Sequence, residues 1–315
     1  MIFNRFIFLF LTIGSSLIAP GQTREEPIML RTQNCDIQGS LLIPLGIEKM
    51  EVVLIVGDSG PTDRNGNQNF MVNNALKMYA VALAEEGIAS LRFDKRGVAA
   101  SRIKGGAEVT FREYVDDIKD WIAMLRNDRR FSKVVIAGHT EGALAALVAI
   151  SENCAVDGYI SINGMGNSAD CVIKEQLSRN QTSQVKQVIS SIIDKLNEGE
   201  ITENPPVYLR NSLSVPMQKY LIPLFAYHPR EMIKSIRTPI LLMHGDKDIQ
   251  ISPEESKVLH TGNNRAKLVI VNNMNHILKE CETMDRDQQL ETFTDPSIPL
   301  ADKLVDESVR FIKSL

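Results

Sequence analysis

One stretch near the middle of the chain allows few folds. Val134 to Ala137 is a short apolar run, and Ala143 to Ile150 is a second apolar stretch rich in alanine. Between them lie Gly138-His139-Thr140-Glu141-Gly142. A strand that turns into a helix within five residues brings the two elements very close together. The residues flanking the turn must therefore be small, and the central residue is forced into a strained backbone. Gly138 and Gly142 supply the room, and Thr140 takes the strained place. The segment predicts a buried strand, a sharp turn and a helix packed back on the sheet.

The rest of the chain repeats that alternation. Residues 28–43 alternate loosely and predict two antiparallel strands. Val52 to Val56 is a continuous apolar run, as expected of a strand buried on both faces. A loop rich in Gly, Pro and Asn follows from Gly57 to Asn69. A helix is expected through Ala75 to Leu83, stopping at Gly87, then a strand from Ile88 to Phe93. Tyr114 to Leu125 predicts an amphipathic helix carrying Trp121, and Tyr159 to Ile162 a further strand. Strands are also expected at Pro239 to Met243 and Leu268 to Val271, with a closing helix from Leu304 to Leu315. Strands alternating with helices predict an α/β fold with a mostly parallel, doubly wound sheet.

Residues 167–236 interrupt the pattern with helical segments and no strand signal. Val185, Val188, Ile189, Ile192, Ile193 and Leu196 fall on one helical stripe. An insertion of about seventy residues is too long for a plain loop. It is expected to form a helical lid on a core made of residues 22–166 and 237–315. Its Leu221-Ile222-Pro223-Leu224-Phe225 run is the expected wall of a pocket, because it leads back to the sheet.

A net charge of -4 argues against a nucleic-acid partner, which calls for a basic face. No stretch after residue 20 is long and apolar enough to span a bilayer. The first residues differ: Arg5 precedes an apolar run from Phe6 to Ile13, and Ala19-Pro20-Gly21 offers a small-x-small cleavage site. Residues 1–21 therefore read as a secretory signal peptide, the apolar run being short for an anchor. A periplasmic or secreted protein is expected. Cys35, Cys154, Cys171 and Cys281 match no zinc or redox spacing. Disulfides and buried free thiols both remain open for them.

Three residues carry nucleophile, acid and base chemistry in order. Thr140 sits in the turn, Asp248 follows His244-Gly245-Asp246-Lys247, and His276 follows Asn272-Asn273-Met274-Asn275. Each lies just past an expected strand, where open α/β sheets place their ligands. Of the other histidines, His139 is expected to pack structurally. His228 lies in the insertion, His244 ends a strand, and His260 is on a helix. Asp246 competes with Asp248 and is expected to stabilise the turn. The loop Gly57-Asp58-Ser59-Gly60-Pro61-Thr62-Asp63-Arg64-Asn65-Gly66-Asn67 has a D-x-N fragment. It lacks the glycine and the terminal glutamate of an EF-hand, so no metal is expected there.

These segments together resemble the esterase-type α/β hydrolases. The family pattern G-S-G-P-x-D-R-x-G-N follows the third strand. Phe93-Asp94-Lys95-Arg96-Gly97, G-H-x-E-G around position 140, Tyr227-x-Pro229, G-D-K-D-I-Q and N-H-x-L-K also match. The likeness covers nearly all of the chain beyond the leader. It implies an α/β-hydrolase fold and hydrolysis of small carboxylic esters without cofactor or metal. It also implies that His276 takes the Thr140 hydroxyl proton while Asp248 holds the imidazole. Backbone N–H groups of Glu141 and of Ser59 or Gly60 would form the oxyanion hole, since Pro61 has no N–H. Oligomeric state is not legible.

Two departures stand out. The family has serine where this chain has Thr140, and the R-G-x-G-x-S turn reads Arg96-Gly97-Val98-Ala99-Ala100-Ser101. Threonine keeps a hydroxyl, but its methyl restricts χ1, and a β-branched residue is disfavoured at positive φ. Two readings follow. One is a slow hydrolase working through Thr140; the other is a hydrolase-like protein holding a small apolar or acyl ligand under its lid without turnover.

Overall fold

The computed structural model describes residues 22–106 and 108–315. The expected signal peptide at residues 1–21 lies outside the described residues. Strands β1 (Thr23–Arg31) and β2 (Cys35–Pro44) form an antiparallel hairpin at one edge of the sheet. β3 (Met50–Val56), α1 (Ala75–Glu85), β4 (Ala89–Phe93) and the short β5 (Arg102–Ile103) follow. α2 (Phe111–Asn127), β6 (Phe131–His139), α3 (Glu141–Ser151) and β7 (Gly158–Ile162) complete the first part. After the insertion come β8 (Ile240–Gly245), α4 (Glu254–Gly262), β9 (Lys267–Val271), α5 (Arg286–Thr292) and α6 (Asp302–Ser314).

The sheet runs β1-β2-β4-β3-β6-β7-β8-β9, with β5 paired to β2. From β4 to β9 every neighbour is parallel, so all these strands end at the same edge. That edge collects the loops after β3, β6, β8 and β9, and with them the candidate site. The predicted α/β-hydrolase fold is the observed one.

Burial on both faces explains why these strands carry unbroken apolar runs. Val52, Leu54 and Val56 face one core together with Trp121 of α2 and Leu144 and Leu147 of α3. Val53 and Ile55 face the other, with Tyr79 of α1 and Phe311 of α6. α2 begins at a capping box, in which the Thr110 side chain accepts from Glu113 N–H and the Glu113 carboxylate accepts from Thr110 N–H.

Between β7 and β8 the chain forms helices over Ala169–Ser178, Ser183–Asn197, Val215–Leu224 and Pro229–Met232. Ile189, Ile192, Ile193 and Leu196 are buried in the core on the α2–α3 side of the sheet. Leu221, Leu224 and Phe225 join the same core, so the run expected to wall a pocket is packing instead. The reason is geometric: a docked helix buries its apolar face against the nearest apolar surface, here α2 and α3. No helix among the described residues is long and apolar enough to cross a membrane. All four cysteines are free thiols, with Cys35 and Cys281 buried and Cys171 exposed.

Candidate active site

Thr140 caps the start of α3 with φ 51° and ψ -105°, a conformation costly for a β-branched residue. It is held there by its own N–H bonding Ile162 O at 3.0 Å, and by the tight approach of α3 to β3 and β6. A Cβ added at Gly142 would lie 2.4 Å from Gly57 O and 2.5 Å from Val56 O. One at Gly138 would lie 2.4 Å from Ala143 Cα. These obstacles are backbone and cannot rotate aside. Gly142→Ala is therefore expected to cost about 3 kcal/mol, the upper end for overpacking. Urea unfolding would measure it, and a loss under about 1 kcal/mol would show that the elbow is less tightly built.

Asp248 and His276 come together as the sequence predicts. Asp248 follows β8, and its Oδ1 accepts from the N–H groups of Gln250 (2.8 Å) and Ile251 (2.9 Å). His276 Nδ1 donates to Asp248 Oδ2 at 2.8 Å, with Oδ1 at 3.1 Å. Asp246, expected to stabilise its own turn, instead accepts from Asn273 N–H at 2.7 Å and ties the two loops. His244 is buried and bonded to Ser256 Oγ and Ile251 O.

The other side of the histidine is not as the sequence predicts. His276 Nε2 lies 3.0 Å from Asp58 Oδ2, in the loop after β3. The Thr140 hydroxyl is buried and has no hydrogen-bond partner among the described residues. The imidazole thus bridges two carboxylates, and its link to the turn residue is unmade. Burial alone would lower the His276 pKa, but Asp248 and Asp58 overcome it and push it up to about 10. Burial likewise opposes ionisation of Asp58, yet the facing rings of His139 and His276 hold its carboxyl well below the usual range. His276 in this arrangement is an imidazolium at neutral pH, with its proton on the nitrogen that would receive one.

Asp58 was not among the expected site residues. It stands at the first glycine of the family's G-S-G-P, and that departure is the signal that could have found it. It also changes the expected oxyanion hole. Ser59 N–H is spent on Asp58 Oδ1 at 2.6 Å, leaving Gly60 as the loop's candidate donor. Glu141 N–H, at the first position of α3, has no intrahelical acceptor, as an oxyanion donor requires. His139 does more than pack structurally. Its Nε2 donates to His276 O at 2.8 Å, and its ring lies 5.1 Å from the His276 ring. Asp58, His139 and His276 each offer one ligand atom, all within 4.8 Å of one another.

Glu141 ties the turn to its surroundings. Its buried carboxylate accepts from Lys95 Nζ at 2.8 Å and from the Tyr220 hydroxyl, in the insertion, at 3.0 Å. Lys95 also donates to Asp58 O at 3.2 Å and lies over the Tyr114 ring. Beside the imidazole is a cavity of about 210 Å³. Asp58, Ser59, Gly60, His139 and His276 form its polar wall, and Leu76, Ile277, Leu278 and Phe293 part of its apolar wall. Its lining comes from the loops of the core, the start of α1 and the end of β6, with no residue from 167–236 among the described residues.

With this geometry in place, comparison with known proteins is informative. Residues 74–282 match the family model of the serine aminopeptidases S33. The chain belongs to the S33 family of α/β hydrolases. Among curated relatives, Esterase EstD of Thermotoga maritima is 25% identical over 249 residues. That match covers 77% of this chain but 58% of EstD, so the chain spans under two thirds of its relative's length. Among solved structures, Est1E from Butyrivibrio proteoclasticus with ferulic acid bound superposes with TM-score 0.63 at 16% identity. It covers 91% of this chain and 100% of Est1E. The α/β hydrolase GrgF from Penicillium sp. sh18 gives TM-score 0.60 at 14% identity, covering 92% and 98%. At such identities these likenesses speak for the S33 chain's fold alone.

Proposed function

We propose that this chain hydrolyses small carboxylic esters, with Thr140, His276 and Asp248 as nucleophile, base and acid. The observation that carries the reading is the Asp248–His276 pair, set at the carboxyl edge of the sheet between a cavity and a strained turn. In the reaction, Thr140 Oγ1 bonds to the ester carbonyl carbon as His276 Nε2 takes its proton. The alcohol then leaves with that proton, and water attacks the acyl-threonine by the same exchange in reverse. The N–H groups of Glu141 and Gly60 hold the oxyanion. For this to run, His276 must give up its proton and Asp58 must swing off Nε2.

The cavity favours short acyl groups, since about 210 Å³ lies below the usual range for drug-sized ligands. EstD is named an esterase, which is consistent with this choice of bond. The leader read at residues 1–21 puts the activity in the periplasm or outside the cell. A second reading has its own observation: Asp58 on His276 Nε2 favours a hydrolase-like binding protein with a closed site.

A fluorophosphonate probe separates the two. Labelling of wild-type protein at Thr140, found by peptide mass, together with slow cleavage of p-nitrophenyl acetate, is the expected result. Labelling of Thr140→Ser alone would favour the binding protein. If neither protein is labelled or cleaves the ester, the hydrolase reading fails.

A further inference from the structure

We propose that Asp58, His139 and His276 form a binding site for a divalent first-row transition ion, Zn²⁺ or its spectroscopic stand-in Co²⁺. The proposed reaction gives His139 no role as a ligand. Three loops converge to make the site: one after β3, one at the β6 turn and one after β9. Two imidazoles and a carboxylate are a donor set that such ions favour.

The two rings are already oriented as ligands. A metal-binding histidine usually donates its second ring N–H to a carboxylate or a backbone carbonyl, which fixes the tautomer and frees the other lone pair. His276 Nδ1 donates to Asp248, so Nε2 is the atom that would meet an ion, which would displace the proton it holds toward Asp58. His139 Nε2 donates to His276 O, leaving Nδ1. The second bond anchors the His139 ring to the backbone of the segment that carries His276.

The spacing fits with a small adjustment. Ligands at about 2.1 Å from one ion lie roughly 3 to 4 Å from each other. His276 Nε2 and Asp58 Oδ2 are 3.0 Å apart, within that range. One ligand atom of each residue lies within 4.8 Å of the other two, so a shift of about 1 Å, with rotation of the Asp58 side chain or the His139 ring, closes the set. All three residues line the cavity, which leaves an ion open to a water or ligand on that side. An ion here would take the His276 lone pair, so metal binding and proton transfer by His276 would exclude each other.

The test reads binding and not turnover, so it stands apart from the esterase reading. Tag-free full-length protein is titrated with Zn²⁺ by calorimetry and with Co²⁺ by visible absorption. The expected result is one ion per chain, with the strong visible bands of four- or five-coordinate Co²⁺. His139→Gln and Asp58→Asn should each weaken Co²⁺ binding at least tenfold, while His260→Gln binds as wild type does. Circular dichroism and melting confirm that each variant is folded. A variant that does not fold is replaced by His139→Asn or Asp58→Ala. Wild-type affinity in both the His139 and the Asp58 variants would overturn the proposal. So would only the weak bands of six-coordinate Co²⁺, or a thiolate-to-cobalt band that places the ion on a cysteine such as Cys171.

Discussion

Thr140→Ser combined with Asp58→Gly is expected to hydrolyse p-nitrophenyl acetate at least about a hundredfold faster than wild type at neutral pH. Two separate obstacles are removed. The Thr140 methyl sits on a residue at φ 51°, and it restricts where the hydroxyl can point. A displacement of about 1 Å from the attack line costs roughly a hundredfold. Asp58 brings a negative charge onto His276 Nε2, beside the loop expected to stabilise an oxyanion. Glycine at position 58 also releases Ser59 N–H, now bonded to the Asp58 carboxylate, as a possible oxyanion donor. Each single variant should gain less than the pair, because each leaves one obstacle in place. Initial rates for the four proteins make a complete cycle. A double variant no faster than wild type would mean that neither group is what restrains the site.

The pH dependence should change even more visibly. His276 can accept a proton only when neutral, and its pKa is pushed up to about 10. At pH 7 the neutral ring is then the minor form. Wild-type kcat/KM should therefore rise with pH and level off only near pH 10, once solution hydrolysis is subtracted. Asp58→Asn removes one of the two carboxylates that hold the proton. The ring then becomes neutral at lower pH, and the rising limb should move down by at least one unit toward neutrality. Asp248→Asn would lower the same pKa but also release the ring from its orientation, so its rate should fall at every pH. NMR titration of the His276 ring reads the shift without substrate. An identical limb in wild type and Asp58→Asn would remove Asp58 from the account of the rate.

Much of this was legible because burial leaves a mark on sequence. Val52 to Val56 and Ile240 to Met243 are apolar at every position because both faces are covered. The turn at Thr140 was legible from Gly138 and Gly142, whose missing side chains the structure explains atom by atom. What was harder to read had no periodic signal. β1 is an edge strand, mostly exposed and rich in charge, so its start at Thr23 is not marked by hydrophobicity. α4 and α5, as amphipathic helices with few buried residues, also lack a strong stripe. Asp58 pairs with a residue 218 positions away, and no local spacing announces such a contact. Only its replacement of a family glycine could have flagged it. The walls of the cavity escaped for a related reason. Ile277, Leu278 and Phe293 lie in loops and at a helix end, while the more apolar Leu221 to Phe225 run is used up in packing.

The bridged imidazole also has a consequence for the endurance of the fold. One ring fastens the chain segments after β3, β8 and β9, three places that the sheet itself joins only through its strands. Its folded pKa stands above the ordinary 6.5. The stabilisation from that charge is therefore complete below about pH 6.5 and is lost as pH rises through about 10. The same deprotonation that arms the site for ester attack releases the segment after β3, while the Asp248 bond still joins the other two. In such a molecule, the alkaline conditions that favour turnover are those in which the native state tolerates heat and denaturant least.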